Sequence, residues 1–282
     1  MREIISLSAY RIQDNNRFDF SATDYSKFKF GSNKIAKKFG YDLAEKFIST
    51  LLKEGSFIDK QFVVLPSAYS YIPTASFFMK NYFVYKLNHF LMESNLLPIE
   101  EAKIYRTVTY REDYGEMTAE QRYKLISGDK FYIDKSILND KILIHIDDIR
   151  ITGTHEQIIL KMFDDYNIYN YCYFLYFAQS DSGLDPKIEN YLNYYFVKSL
   201  NEIDYIIKND DFVFNTRVVK YILNSNHEEY KSFIEKQDNL FITDLYYKSI
   251  GNSYHLFDAY RVNLKHLQDM VKCIEKEEKN VR

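Results

Sequence analysis

The stretch from residue 141 to residue 165 admits few folds. KILIHI is a run of apolar and β-branched residues of strand length. It ends in Asp147-Asp148 and passes through Thr152-Gly153-Thr154. It then opens a segment whose Ile158, Ile159, Met162 and Phe163 recur at helical spacing. A strand too apolar to face water on either side, followed at once by a helix, is the unit from which parallel sheets are built.

The same alternation recurs along the chain. Residues 32–54 predict a helix with Leu43, Ala44, Phe47, Ile48, Leu51 and Leu52 on one face, stopped by Gly55-Ser56. QFVVL predicts a buried strand over 61–65, closed by Pro66, and a loop over 66–73 leads to a helix over 74–94. Strands are expected over 102–109 and 169–178. Residues 1–30 read as loop or short strands, and 110–135 as a polar connection long enough to suggest function. Beyond residue 200 the strand-like runs fade, and helices are expected over 216–223 and 260–280. The expectation is an α/β fold, a parallel sheet flanked by helices with a Rossmann-like core over 1–200. A helical extension over 201–282 packs on it.

Composition narrows the function classes. The net charge of -3 gives no global basic field for nonspecific nucleic-acid binding. Lys27, Lys29, Lys34, Lys37 and Lys38, interleaved with Phe28, Phe30 and Phe39, leave a local contact open, with helix-surface lysines beside core rings explaining them equally well. Cys172 and Cys273 have no metal-type spacing and suggest a reducing, cytoplasmic setting. No signal peptide and no apolar run of about 18 residues is visible, so no membrane association is expected. Aromatic residues make up 17% of the chain, with no Trp, and most are expected in the core.

The turn after the 141–146 strand is where chemistry is expected, because ligands of open α/β sheets bind beyond the carboxyl ends of the strands. Backbone N–H groups at a helix N-terminus can hold a phosphate, Thr152 and Thr154 add hydroxyls, and Gly153 allows close approach. Asp147 and Asp148 suit the hydroxyls of a sugar, or a Mg²⁺ bound to it. His145 reads as a core histidine with one hydrogen bond, and Asp164-Asp165 and Asp210-Asp211 as surface charge.

The ordered string of apolar strand, Asp-Asp, three residues and Thr-Gly-Thr resembles the PRPP-binding signature of type I phosphoribosyltransferases (PRPP is 5-phosphoribosyl-1-pyrophosphate). TYREDYG, FYID and DDIRITGTHE, over 105–157, together with YSKFKFGS at 25–32, are similar to the bacterial PRTase ComF-like group found near tellurium-resistance and stress operons. The resemblance covers roughly residues 20–200. It implies a type I phosphoribosyltransferase-like fold and Mg²⁺–PRPP chemistry within nucleotide metabolism or a stress response. Asp147 and Asp148 would contact the ribose hydroxyls directly or through Mg²⁺. Ile151, Thr152, Gly153, Thr154 and His155 would cradle the 5-phosphate, although many members of the superfamily carry Thr or Ser where His155 stands. Ser67, Ala68, Tyr69, Ser70 and Tyr71 would form the pyrophosphate loop, which here lacks the usual glycines.

Arg106 is then the expected catalytic cation for the leaving group, with Arg111 and Lys124 weaker candidates. Tyr110, Arg111, Asp113 and Tyr114 would belong to a flexible loop that closes over the reaction. The partners implied are PRPP and a nitrogenous base or related acceptor, and a homodimer stays open. Two functions follow: a phosphoribosyltransferase, or a PRPP- or nucleotide-binding regulator with little or no turnover.

Overall fold

The computed structural model describes residues 3–14, 17–54, 60–106, 131–180 and 184–281. Its centre is a six-stranded, mostly parallel sheet. The strands are β1 (Ile4–Asp14), β2 (Arg17–Phe18), β3 (Phe62–Pro66), β4 (Glu100–Glu101), β7 (Ile142–Arg150) and β8 (Cys172–Ser180), ordered β2-β1-β8-β7-β3-β4. All neighbouring pairs are parallel except β1 with β2. A separate antiparallel pair joins β5 (Tyr105–Arg106) and β6 (Phe131–Tyr132).

Two helices expected from periodicity, α2 (Asn33–Glu54) and α3 (Ala75–Glu93), pack with the short α1 (Ala22–Lys29) on one face of the sheet. That face buries the rings of Tyr25, Phe28, Phe39, Phe47, Phe83 and Phe177. Phe39 and Phe177 stack with centroids 3.8 Å apart, so much of the aromatic excess is core, where rings bury large area. The other face is covered by α4 (Thr154–Asp165), whose Ile159, Met162 and Phe163 meet Val63, Leu65, Leu143 and Phe174.

After a one-and-a-half-turn α5 (Ile188–Asn193), the chain becomes helical throughout its described remainder. The helices are α6 (Leu200–Asn209), α7 (Thr216–Asn224), α8 (His227–Ile234), α9 (Asn239–Gly251) and α10 (Arg261–Val281). They enclose an apolar cluster of their own, centred on Ile203, Val219, Ile222, Tyr230 and Leu267. None of the described helices is long and apolar enough to cross a membrane.

The structure corrects the sequence reading in several places. The N-terminal 30 residues hold an 11-residue strand paired parallel to β8, and a helix. Of the strand expected over 102–109, only Tyr105–Arg106 is strand within the described part. Four helices, α5, α6, α8 and α9, stand where none was expected. Most importantly, β7 does not stop before the acids. It runs through Asp147 and Asp148 to Arg150.

Candidate functional site

Because side chains alternate across a strand, a strand that runs through Asp147 and Asp148 turns them to opposite faces of the sheet. Their partners confirm this. Asp147 meets His155 of α4, while Asp148 meets Tyr25 and Lys29 of α1. The two carboxylates therefore do not converge on one point, as adjacency in sequence suggested.

Each carboxylate is already engaged. Asp147 Oδ1 accepts from Ser67 Oγ at 2.6 Å and from the Asp148 backbone N–H at 2.9 Å. His155 Nδ1 donates to Asp147 Oδ2 at 2.5 Å. Burial alone would raise the Asp147 carboxyl, but the charge and hydrogen bond of His155 outweigh it and hold the group at about 2. Asp148 Oδ1 accepts from the Ile149 N–H at 2.8 Å. Asp148 Oδ2 accepts from Tyr25 Oη at 3.4 Å and forms an ion pair with Lys29.

This arrangement does not fit a Mg²⁺ held by Asp147 and Asp148. Such an ion needs several hard oxygen ligands in near-ideal geometry, and here a lysine, a histidine, two hydroxyls and two backbone amides occupy the carboxylate oxygens. Among the described residues no group of three or more His, Cys, Asp or Glu could hold a metal ion.

The turn Ile151–His155 joins β7 to α4, with the His155 ring turned to Asp147. Gly153 has φ of +72° and is the N-cap of α4. A Cβ there would come within 3.2 Å of Arg150 Nη2, so the glycine lets a guanidinium pack against the turn. Arg150 Nε donates to Glu156 Oε2 at 2.9 Å, and Tyr176 Oη donates to the same oxygen at 2.7 Å. Burial and the Glu156 carboxylate push the Tyr176 phenol well up, keeping it a donor. The hydroxyls of Thr152 and Thr154 lie 2.9 Å apart. The first N–H groups of α4 have no intrahelical partner, and Arg150 adds a cation. The result is a concentration of donors facing the end of β7. The sequence reading placed Ile151, Thr152, Gly153, Thr154 and His155 in the site and gave no site role to Arg150 or Glu156, which stand in the same string.

The 66–74 loop meets Asp147 beside this turn, and several of its polar groups are engaged internally. Ser67 is 3% exposed. Besides Asp147 it meets Ser76 Oγ at 2.9 Å and donates to the Ile146 carbonyl at 3.2 Å. The backbone N–H groups of Tyr71 and Ile72 both donate to Asn252 Oδ1 at 3.1 Å. The Thr216 N–H donates to the Pro73 carbonyl at 3.0 Å. Lys103 Nζ donates to the Ser70 carbonyl at 2.9 Å and lies 4.1 Å from the Tyr69 ring centroid. The main chain of Tyr69 bridges that of Tyr105. Ala68 is buried, while the rings of Tyr71, Tyr105 and Tyr132 are exposed.

Arg106 lies on β5, its backbone paired with Phe131. The Arg106 side chain, together with Tyr110, Arg111, Asp113, Tyr114 and Lys124, lies outside the described residues.

The remaining candidates resolve into structure. Lys27 pairs with Asp210 at 3.5 Å and covers the rings of Phe196 and Tyr205, and Lys38 pairs with Asp24 at 3.0 Å. Lys27 and Lys29 are thus tied into the fold while Lys34, Lys37 and Lys38 stay exposed, and Asp210 is buried, not surface charge. His145 is a core histidine, but neither ring nitrogen has a hydrogen-bond partner among the described residues.

A hypoxanthine phosphoribosyltransferase from Staphylococcus aureus is 12% identical with a TM-score of 0.32, over 51% of this chain and 73% of that one. One from Trypanosoma cruzi is 12% identical with a TM-score of 0.33, over 55% and 69%. No curated protein matches. The model of the PRTase ComF-like family matches residues 1–267. The match spans the sheet, the donor-lined turn and nearly all of the C-terminal helices, and the chain belongs to the PRTase ComF-like family.

Proposed function

We propose that this protein binds PRPP at the carboxyl end of β7 and transfers its phosphoribosyl group to a nitrogen acceptor. The observation that supports this best is the turn over Ile151–His155. A left-handed glycine, two hydroxyls, a helix N-terminus and the Arg150 guanidinium meet there, a donor set suited to a phosphate monoester. The 5-phosphate of PRPP is the fixed handle of the substrate, so its capture orients C1.

In the transfer, the C1–oxygen bond to pyrophosphate breaks and the leaving group departs with the electron pair. The lone pair of the acceptor nitrogen forms the new C1–N bond, and its proton passes to solvent. Positive charge develops on the sugar and negative charge on pyrophosphate. The ionised Asp147 is placed to favour the first. Arg106 and the Ser67–Tyr71 loop are the proposed partners of the second. Exposed rings at Tyr71, Tyr105 and Tyr132 offer planar faces beside the loop on which a heterocyclic acceptor can stack.

A second reading, a PRPP- or nucleotide-binding regulator with little turnover, is favoured by one specific observation. The Ser67 hydroxyl and the Tyr71 and Ile72 amides are engaged by Asp147 and Asn252, which takes them away from a pyrophosphate. Pyrophosphate release from PRPP, measured with a panel of purine and pyrimidine bases beside calorimetric PRPP binding, tests both. Release with one base supports the transferase, and tight binding without release supports the regulator. No PRPP binding overturns both.

A further inference from the structure

Lys29 closes α1 at the edge of the aromatic core, one turn beyond Tyr25, so both side chains reach the same Asp148 oxygen. The side chains of Lys29 and Asp148 are each 11% exposed. Lys29 is also held from the other side, because its carbonyl accepts from Asn215 Nδ2 at 3.1 Å, and Asn215 is 1% exposed. A lysine fixed at both ends and shielded from water is held at this carboxylate, unlike the mobile lysines of a solvated helix face. On the opposite face His155 plays the matching part toward Asp147.

Carboxylates without partners at this place would repel a polyanionic ligand, and a divalent ion bound to either would reduce the repulsion. Here the protein supplies that compensation with its own side chains.

We propose that Lys29 is the resident cation of this site. It occupies Asp148 in place of a divalent ion, so the acid pair takes up no Mg²⁺ and a phosphoribosyl ligand is captured without one. The statement about the ligand rests on the reading proposed above; the statement about the cation does not.

The test uses the full chain and Mn²⁺ alone, followed by electron paramagnetic resonance, with thermal melting as the second readout. The wild type should show no stoichiometric Mn²⁺ site that Asp148→Asn abolishes. Lys29→Met leaves a buried carboxylate without its cation, so melting should fall by roughly 10 °C. Millimolar Mn²⁺ should restore it, because the vacated oxygen becomes a ligand. Lys29→Met/Asp148→Asn should melt near the wild type and show no response to Mn²⁺.

A one-to-one wild-type Mn²⁺ site lost in Asp148→Asn overturns the proposal. So does a folded Lys29→Met that neither loses stability nor responds to the ion. If Lys29→Met does not fold at all, the wild-type and Asp148→Asn resonance spectra still decide. For the ligand, PRPP affinity should change less than about threefold between EDTA and excess Mg²⁺, and a larger loss in EDTA overturns that half. Absence of PRPP binding in both conditions instead overturns the functional reading and leaves the Mn²⁺ result standing.

Discussion

The side-chain oxygen of Asn252, at the end of α9, accepts the backbone N–H of Tyr71 at 3.1 Å across 181 residues of sequence. The adjacent N–H of Ile72 shares the same oxygen. The contact is tight, since a Cβ on the neighbouring Gly251 would lie 2.6 Å from the Tyr71 ring. Two consecutive amides converging on one oxygen form an anion-binding concavity, and the C-terminal helices fill it with a neutral carbonyl.

Asn252→Ala should therefore have two effects. The buried Ile72 N–H loses its acceptor, at a cost of about 1–3 kcal/mol, read as a lower urea midpoint with an unchanged slope. The vacated amide pair should bind inorganic pyrophosphate more tightly than the wild type does, read by calorimetry. Weaker pyrophosphate binding in a folded variant would show that the C-terminal helices build the loop instead of blocking it.

Gly153→Ala places a side chain at φ of +72° and against Arg150. The left-handed backbone costs roughly 1–2 kcal/mol, and the displaced guanidinium should weaken ribose 5-phosphate binding more than it weakens the fold. Urea unfolding and calorimetry of the same variant separate the two. A loss of stability with unchanged ribose 5-phosphate affinity would remove the turn from the binding site.

Acid stability should be set by two buried groups of β7, His145 and Asp147. Burial lowers His145 from its ordinary 6.5 to about 3, so the fold keeps it neutral while the unfolded chain takes up a proton. Its contribution is complete above pH 6.5 and falls as pH drops toward 3, by roughly 1.4 kcal/mol per pH unit. Asp147, held at about 2 against an ordinary 3.8, contributes above 3.8 and loses that contribution as pH falls toward 2. His145→Leu should flatten the urea stability profile between pH 6.5 and 4 and leave the more acidic limb. Parallel profiles in the two proteins would contradict this.

Much of the site was legible because it is local. β7, the Thr-Gly-Thr turn and α4 follow one another in sequence, and the periodicities of α2, α3 and β3 come from their own residues. What was hidden is long-range. Ser67 and Lys29 reach the acids across 80 and 119 residues, and nothing in the spacing of a lysine announces which carboxylate it meets. β1 was read only as loop or short strands because its alternation is half polar. Ile5, Leu7 and Ala9 are only partly buried, and pairing with β8 holds the strand in place.

Two signals were readable and passed over. Ser199 and Glu202 form a capping box that opens α6. Alternation along β7 separates Asp147 from Asp148 once the strand is extended to Arg150.

The central claim is that the turn over Ile151–His155 holds the 5-phosphate of a phosphoribosyl ligand. It is tested most directly by calorimetric titration of ribose 5-phosphate, ribose and PRPP into the wild type and Arg150→Met. The account predicts that ribose 5-phosphate and PRPP bind while ribose does not, and that Arg150→Met weakens both phosphorylated ligands by about tenfold. Equal affinity for ribose and ribose 5-phosphate, or phosphate binding indifferent to Arg150→Met, would contradict it.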